Sequence, residues 1–463
     1  MVALALGLGS VSGLSGQGKT TREKLELFPV NGLEGRVLFW EQVFTVYGGN
    51  DALIHDRDDV DLVYEAVRLE GDWEHDTAVR KSQRTVIQGR LGHWQSRLNY
   101  LSSRVAAGAK LAEEDQALRA MIEQRRGHGV SAREIRDLAD GLHVQRGIRE
   151  RFLEGWTRSG RYLPHMEKIF TEMNVPREIL AIPLFESGFH SESKSRKGAT
   201  GVWQFIRSTG RLFLRIDRHF DERLDPLLST RGAGRFLLDA YSTLGSWPLA
   251  VMAYNHGTYG IQNARRRIGE DPMTIIRYYS GRKFGYASRN YYPEFLAALR
   301  IMENPERHFP GVQIEPAWSF AQVVLKQRTD VAAAMRQYHL DRETFLAYNP
   351  AVLPGSVRRG IMLPAGFPLR LPSPDPAGKP ATPVPATVKA TPSPPQPDAK
   401  RPTAPASTAA GKTAARPVVH TVLANDTLYS LARRYGTTVA ALRRLNNLPD
   451  DKIRIGQKLL IFP

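Results

Sequence analysis

The chain of 463 residues has no cysteine. Disulfides and thiolate metal ligands are thereby excluded, and a lipoprotein-type cysteine anchor is not expected. The lack of disulfides does not by itself assign a cytosolic address. No apolar run reaches the ~18–20 residues needed to span a bilayer, so the folded protein is expected to be soluble, or peripheral to a membrane at most. Zinc-finger spacing and Walker-type glycine loops are also missing. Acidic residues are in deficit, 47 Asp and Glu against 64 Lys and Arg, for a formal charge of +17. That sign favours a polyanionic partner: nucleic acid, anionic lipid or an acidic cell-wall polymer. Without a nucleic-acid-binding motif, the first of these is not expected.

What is present is unevenly distributed. The first residues, MVALALGLGSVSGLSG, are small and apolar like the later part of a secretory signal, without a basic start. Residues 1–30 are read as a possible signal remnant or disordered start, and export is expected. Residues 31–155 read as a mixed, mostly helical region. Within it, VLFWEQVFTVY and the end of DALIHDRDDVDLVYEAVRL suit short strands, or a helix with strand-like flanks. Leu91, Trp94, Leu98 and Leu101 recur at helical spacing, and AREIRDLADGLHVQRGIRERFLEGW reads as a further amphipathic helical stretch. Residues 156–310 are helical segments punctuated by SGFHSES, SRKGATG, YNHGTYG and GRKFGYASRN, loops on a rigid scaffold where chemistry usually sits. Residues 373–417, rich in Pro, Ala and Thr, cannot build a core and are expected to form an extended tether. Beyond it, residues 418–463 read strand, helix, helix, strand, a small βααβ unit. Residues 317–372 repeat this pattern in degenerate form. Tyr338 to Asn349 spans the same interval as Tyr435 to Asn446, with Phe345 opposite Leu442 and a closing apolar strand in each. Two copies flanking a tether suggest paired binding modules.

The stretch IPLFESGFHSES, Ile182 to Ser193, places an acid at the end of an apolar run. Asn174 and Pro176 read as the start of a helix, in which Glu186 shares the stripe of Ile179 and Ile182 and Pro183 bends the axis. A carboxyl in such surroundings is disfavoured in its charged form, so its pKa should rise above the reference of ~4.3. A general acid at neutral pH needs that property. Taken alone, the same residue also fits an ordinary acid at a helix end.

Further on come GVWQF, Gly201 to Phe205, and AYNHG, Ala253 to Gly257. With Glu186-Ser187 and a loop serine at Ser195, these residues resemble the lytic murein transglycosylases that carry a lysozyme-like SLT domain. GRKFGYASRNYYPEFLAAL is similar to that family's closing motif, with Tyr291 at its late tyrosine. The resemblance covers about residues 145 to 305. It departs at His190-Ser191, where the family often has Asp-Pro, and at AYNHG in place of AYNSG or AYNAG. The tail TLYSLARRYGTTVAALRRLNNL resembles a LysM module, a family that binds N-acetylglucosamine polymers such as peptidoglycan and chitin.

The resemblance implies a mainly α fold: an α+β lysozyme-like catalytic domain, a helical N-terminal region, and small βααβ LysM modules on a Pro-rich tether. It implies a peptidoglycan lytic transglycosylase of the periplasm or cell envelope, with glycan strands as partner. In that family one glutamic acid works alone, and the resemblance implies neither a metal nor a cofactor. Carried over, Glu186 protonates the oxygen between N-acetylmuramic acid and N-acetylglucosamine, then acts as base toward the muramyl C6 hydroxyl to close a 1,6-anhydro ring. Ser195 and Gln204 would hold N-acetyl groups or steady the acid; Tyr254 and Tyr291 would offer a ring to a sugar and a hydroxyl to Glu186; Asn255 would contact substrate or serve only the turn. Trp203 and Phe205 read as core, and His256 as structural or rim. The acidic run Asp217, Asp221, Glu222 and Asp225 is where a second carboxylate for hydrolysis would be sought, although it reads first as a solvated loop with a helix cap. A hydrolytic muramidase on the same fold and a non-catalytic wall-binding scaffold remain the alternatives.

Overall fold

The computed structural model describes residues 27–373 and parts of 418–461. The possible signal remnant and the tether lie, but for their edges, outside the described residues. The described chain opens with α1 (Glu34–Thr45), then β1 (Asp51–Asp56) and β2 (Val63–Arg68). Helices α2 (Thr77–Ala106), α3 (Glu113–Arg126) and α4 (Ala132–Asp140) follow, and β3 (Leu142–Arg146) completes an antiparallel sheet in the order β2-β1-β3. VLFWEQVFTVY is therefore helical as far as Thr45, with Val37, Phe39, Trp40, Val43 and Phe44 buried and Leu38 and Val46 exposed.

The single helical stretch expected from Ala132 to Trp156 is broken by β3. A capping box of Ser131 and Glu134 starts α4 and Gly141 ends it. LHVQR then pairs with β1, Leu53 opposite Gln145 and Ile54 opposite Val144. Gly147 allows the return: a Cβ there would stand 2.1 Å from the carbonyl oxygen of Tyr47. The pairing partner lies some ninety residues away, so helical periodicity in this stretch could not reveal it. One face of the sheet and helices α2 to α4 share a core of Ala52, Ile54, Val67, Ile87, Leu98, Leu101, Ile122, Ile135 and Leu138.

The second core is larger and helical. It is built by α5 (Arg149–Ser159), α6 (Leu163–Glu172), a 3-10 turn (Arg177–Ala181), α7 (Ile182–Glu186), α8 (Arg207–Phe213), α9 (Pro226–Leu244), α10 (Trp247–His256), α11 (Thr258–Ile268), α12 (Pro272–Tyr278), α13 (Tyr286–Glu303) and the short α14 (Pro305–His308). Helix α9 starts where Asp225 accepts from the amides of Leu227 and Leu228, each at 3.0 Å, with Pro226 in the first turn. Gly245, left-handed at φ 69°, ends it, and Ser246 caps α10 at once. Helix α13 packs on α1, α7 and α10. The buried Trp40 indole donates to Asn290 at 3.2 Å, so α1 shares this core with the helices around α13.

Residues 320–372 form β4 (Phe320–Val324), β5 (Thr329–Asp330), α15 (Val331–Gln337), α16 (Arg342–Tyr348), α17 (Pro354–Arg358), β6 (Met362–Leu363) and β7 (Pro368–Pro372), with β4 and β7 antiparallel. In the C-terminal segment β8 (Val418–Thr421) pairs with β9 (Lys458–Ile461) in the same sense. The two units share an internal lock. Asn349 Nδ2 donates to the carbonyls of Phe345 and Arg370 while its Oδ1 accepts from the Arg370 amide, at 2.9–3.0 Å. Asn446 does the same with Leu442 and Leu460, at 2.7–2.8 Å. Val331, Ala334 and Phe345 are buried in one, and Leu428, Leu431 and Leu442 in the other, at identical spacing along the chain.

The first unit is fixed to the helical core. Arg370 is 2% exposed, and its guanidinium donates to both carboxylate oxygens of Asp225, at 2.5 and 2.9 Å, from beside the rings of Trp318 and Phe320. Asp225 is thus a buried anion with an intact set of donors, rather than part of a solvated loop. Asp221 likewise pairs with Arg223 at 2.7 Å in the interior. Backbone bonds reinforce the joint, Asp221 amide to Ala351 carbonyl at 2.8 Å and Leu353 amide to His219 carbonyl at 3.0 Å. Removing one partner of such a pair strands the other's charge, which costs roughly 3–5 kcal/mol. Arg370→Ala should lower the free energy of unfolding by that order, read by urea titration, whereas removing the exposed Arg231 that meets Glu172 should change it by less than about 1 kcal/mol.

Candidate active site

The local fold around Glu186 differs from the one continuous helix that NVPREILAIPLFES suggests. Asn174 is left-handed at φ 56°, and Pro176 precedes a 3-10 turn that ends at Ala181. Pro183 then sits in the first turn of the five-residue α7, so it opens a new helix instead of bending an old one. Glu186 is the last residue of α7. Gly188 and Phe189, at φ 58° and 55°, turn the chain back beneath it. Ser187 is buried and donates to the Val202 carbonyl at 2.7 Å, which joins the ES pair to the GVWQF segment.

Glu186 is half-buried as a residue, so a substrate strand can reach it. Protein nevertheless surrounds its carboxyl closely enough that burial pushes the pKa up to about 7. Two groups pull the other way: the Tyr291 hydroxyl, which donates to Glu186 Oε1 at 2.9 Å, and the cationic Arg151. Desolvation outweighs both, and the acid keeps its proton close to neutrality. Tyr291 is itself buried, with its ring edge-on to Phe185 at 5.2 Å. Its own hydroxyl is held far from ionisation by burial first and by the neighbouring Glu186 charge second.

The other residues singled out from the sequence divide. Tyr254 is close enough for the Glu186 charge to bear on it, but its hydroxyl donates to the Trp203 carbonyl at 2.8 Å. It therefore fixes the GVWQF wall rather than the acid. Gln204, left-handed at φ 47°, spends its side-chain amide on the carbonyls of Gly201 and Ser193, at 2.8 and 3.2 Å. Ser195 accepts from the Ala199 amide at 3.0 Å, a bond internal to its own loop. Asn255 accepts from Ser288 at 3.0 Å, and His256 meets the same hydroxyl at 3.1 Å, tying α10 to α13. Burial lowers the His256 pKa to about 4, so it is neutral there. Trp203 is fully buried, with its indole on Thr230 at 2.9 Å, and Phe205 is buried beside Tyr254. Gly201 is required in this turn, since a Cβ would stand 1.8 Å from the Arg223 carbonyl oxygen at φ 82°.

Of the acidic run, Asp217 pairs with Arg215 at 2.7 Å, and Glu222 accepts from the Arg215 amide. With Asp221 and Asp225 engaged as described, all four carboxylates do structural work. The carboxyl that does neighbour Glu186 is Glu294, one turn beyond Tyr291 on α13. Burial first and the Glu186 charge second push its pKa up to about 8. The sequence does carry this residue, in YYPEF, but only the packing of α13 against α7 brings it within electrostatic reach of Glu186.

Comparison with known proteins finds two matching family models. Residues 166–274, which include Glu186, Gln204 and Tyr254, match the family model of the transglycosylase SLT domain. Residues 420–462 match that of the LysM domain. The chain is 26% identical over 302 residues to membrane-bound lytic murein transglycosylase D of Escherichia coli strain K12, covering 62% of this chain and 60% of that one. The protein of the same name in Escherichia coli O6:H1 gives the same figures. A protein of an Alteromonas species named for tributyltin chloride resistance is 28% identical over 166 residues, 35% of this chain and 79% of the relative. The chain spans 60% of the length of the Escherichia coli relatives it matches. It is a mainly α protein that carries a lysozyme-like transglycosylase SLT domain, with a LysM domain at its C-terminal end.

Proposed function

We propose that the protein is a peptidoglycan lytic transglycosylase. The observation that carries this reading is a carboxylic acid whose pKa burial pushes up to about 7, inside the segment that matches the SLT model. Glu186 donates its proton to the glycosidic oxygen between N-acetylmuramic acid and N-acetylglucosamine. The resulting carboxylate accepts the proton of the muramyl C6 hydroxyl as that oxygen closes on C1, which leaves a 1,6-anhydro end and a regenerated acid. The Tyr291 hydroxyl stabilises the carboxylate in the interval, and Arg151 adds positive charge beside it. Tyr254, Gln204 and Ser195 act by holding the loop that carries GVWQF, and Gln204 retains a carbonyl oxygen for a substrate amide.

A hydrolytic muramidase would require a second, ionised carboxylate to activate water. Burial pushes the Glu294 pKa up to about 8, and in the run from Asp217 to Asp225 three carboxylates are held in ion pairs while Glu222 accepts from the Arg215 amide. Both facts favour the anhydro route. The LysM domain serves as a wall anchor for N-acetylglucosamine-containing strands, and residues 317–372 as a second copy of that fold, docked on the catalytic domain. Linked modules raise the local concentration of substrate without a new contact at the site. A periplasmic or envelope location follows from the substrate. No helix among the described residues is long and apolar enough to cross a membrane.

Two measurements test this reading. On purified sacculi the wild type should release 1,6-anhydromuramyl products by mass spectrometry, and Glu186→Gln should reduce release by at least about a thousandfold while binding to sacculi persists. Reducing ends alone would establish the muramidase, and unchanged lysis by the variant the scaffold. In the pH profile, activity should fall as pH rises through about 7, because the acid form is the reactive one. Tyr291→Phe removes a donor that favours the charged form, so it should move this alkaline limb to higher pH while lowering the maximal rate.

A further inference from the structure

The segment after the ES pair is the most basic part of the catalytic domain. Between Lys194 and Arg218 there are seven Lys or Arg residues and one acid, Asp217. Its first half forms the wall beside Glu186 through the bonds of Val202 and Trp203. Its second half, beyond the buried Phe205, runs directly into an open cleft of about 720 Å³ lined by Arg207, Arg211, Ile216, Asp217, Arg218 and His219.

This cleft has an imbalance of charge that the protein does not resolve. The one carboxylate lining it, Asp217, is held by Arg215 at 2.7 Å and by the amides of His219 and Phe220. Arg207, Arg211 and Arg218 have no carboxylate partner among the described residues. Arg211 donates only to the Ile216 carbonyl, at 3.4 Å, and Arg218 to His219 Nε2, at 2.9 Å. Three guanidiniums thus share one shallow cleft whose floor is the buried, apolar Ile216. At the His219 side, Ser356 of α17 meets His219 Nδ1 at 3.1 Å.

We propose that this cleft is a binding site for the peptide stems of peptidoglycan, taking their free carboxylates on Arg207, Arg211 and Arg218. The inference rests on the transglycosylase reading. The sugars themselves are uncharged, so a cluster of guanidiniums has no ligand on a bare glycan strand. The peptide attached to the muramyl residue bears several free carboxylates alternating with alanine methyls, and it leaves the strand beside the bond that Glu186 faces. Guanidinium forks are suited to carboxylates, and Ile216 offers an apolar contact for a methyl group. The cleft would favour muramyl residues that still carry a stem.

The test compares two substrates, both first freed of phosphate polymers: sacculi-derived strands with intact stems, and the same strands stripped of stems by an amidase. The full chain is compared with the variant Arg207→Gln/Arg211→Gln/Arg218→Gln, whose substitutions are all at exposed positions. On stem-bearing strands the variant should lose on the order of tenfold in kcat/KM, mainly through KM, the loss shrinking as salt is raised. On stripped strands the two proteins should agree within about twofold. Equal losses on both substrates, or no loss on either, would overturn the proposal. Binding of both substrates in a Glu186→Gln background reads the same contrast without cutting. If no anhydro product forms while the stem-dependent difference in binding remains, the transglycosylase reading fails and the stem site stands. If the variant loses retention on the removed phosphate polymers and not on stem-bearing strands, the ligand is a phosphate polymer and the proposal fails.

Discussion

A carboxyl group withdrawn from water keeps its proton, and the site depends on that cost. Glu186 ends a short helix whose preceding residues, Ile182, Pro183 and Leu184, are all buried, so its carboxyl is set into protein at the edge of an accessible surface. Burial disfavours its charged form. The Tyr291 hydroxyl and Arg151 offset part of the penalty and hold the pKa at about 7. An acid in that range donates readily and accepts readily, as one group serving both halves of the proposed reaction requires. Desolvation likewise pushes the Glu294 pKa up, to about 8, which disfavours it as a base near neutrality.

The second constraint is the burial of Arg370 against Asp225. It links three parts of the molecule: the first turn of α9, which Asp225 caps; the closing strand β7, whose amide is locked to Asn349; and the rings of Trp318 and Phe320 in the connection from the helical core. Arg223, bonded to Asp221, also reaches the carbonyls of Gly198 and Phe205. The wall beside Glu186 is therefore braced from behind by the loop on which the 320–372 unit docks. An acidic run that looks from composition like a solvated surface is instead the seam between two units.

How far the residues announced this arrangement depends on the range of the interactions. The buried apolar run leading to Glu186 was legible because it is local, and so were Trp203 and Phe205 as core. The break at Pro183 was misread, since one proline fits both a bent helix and the first turn of a new one. Strand β3 was missed because its partner is distant and its flanks are helical. The repeat was legible through Tyr338, Phe345 and Asn349, and the structure adds the reason for its asparagines: each ties a helix end to the middle of the closing strand. Gln204 and Ser195 were read toward substrate, while much of their bonding capacity goes to their own loop.

The order of motifs, the absence of thiols and spanning segments, the basic balance and the paired βααβ patterns are properties of the chain itself, set by side-chain type and short spacing. Which hydroxyl reaches the acid was not. Tyr254 and Tyr291 are equivalent candidates along the sequence, and only the packing of α13 against α7 gives Glu186 to Tyr291 and leaves Tyr254 to a backbone carbonyl. The same packing brings Glu294 beside Glu186, and the docking of β7 turns Asp225 from a surface acid into a buried anion. Each of these depends on distances between residues far apart in the chain, and a hydrogen bond or a pKa answers to those distances and not to separation in sequence.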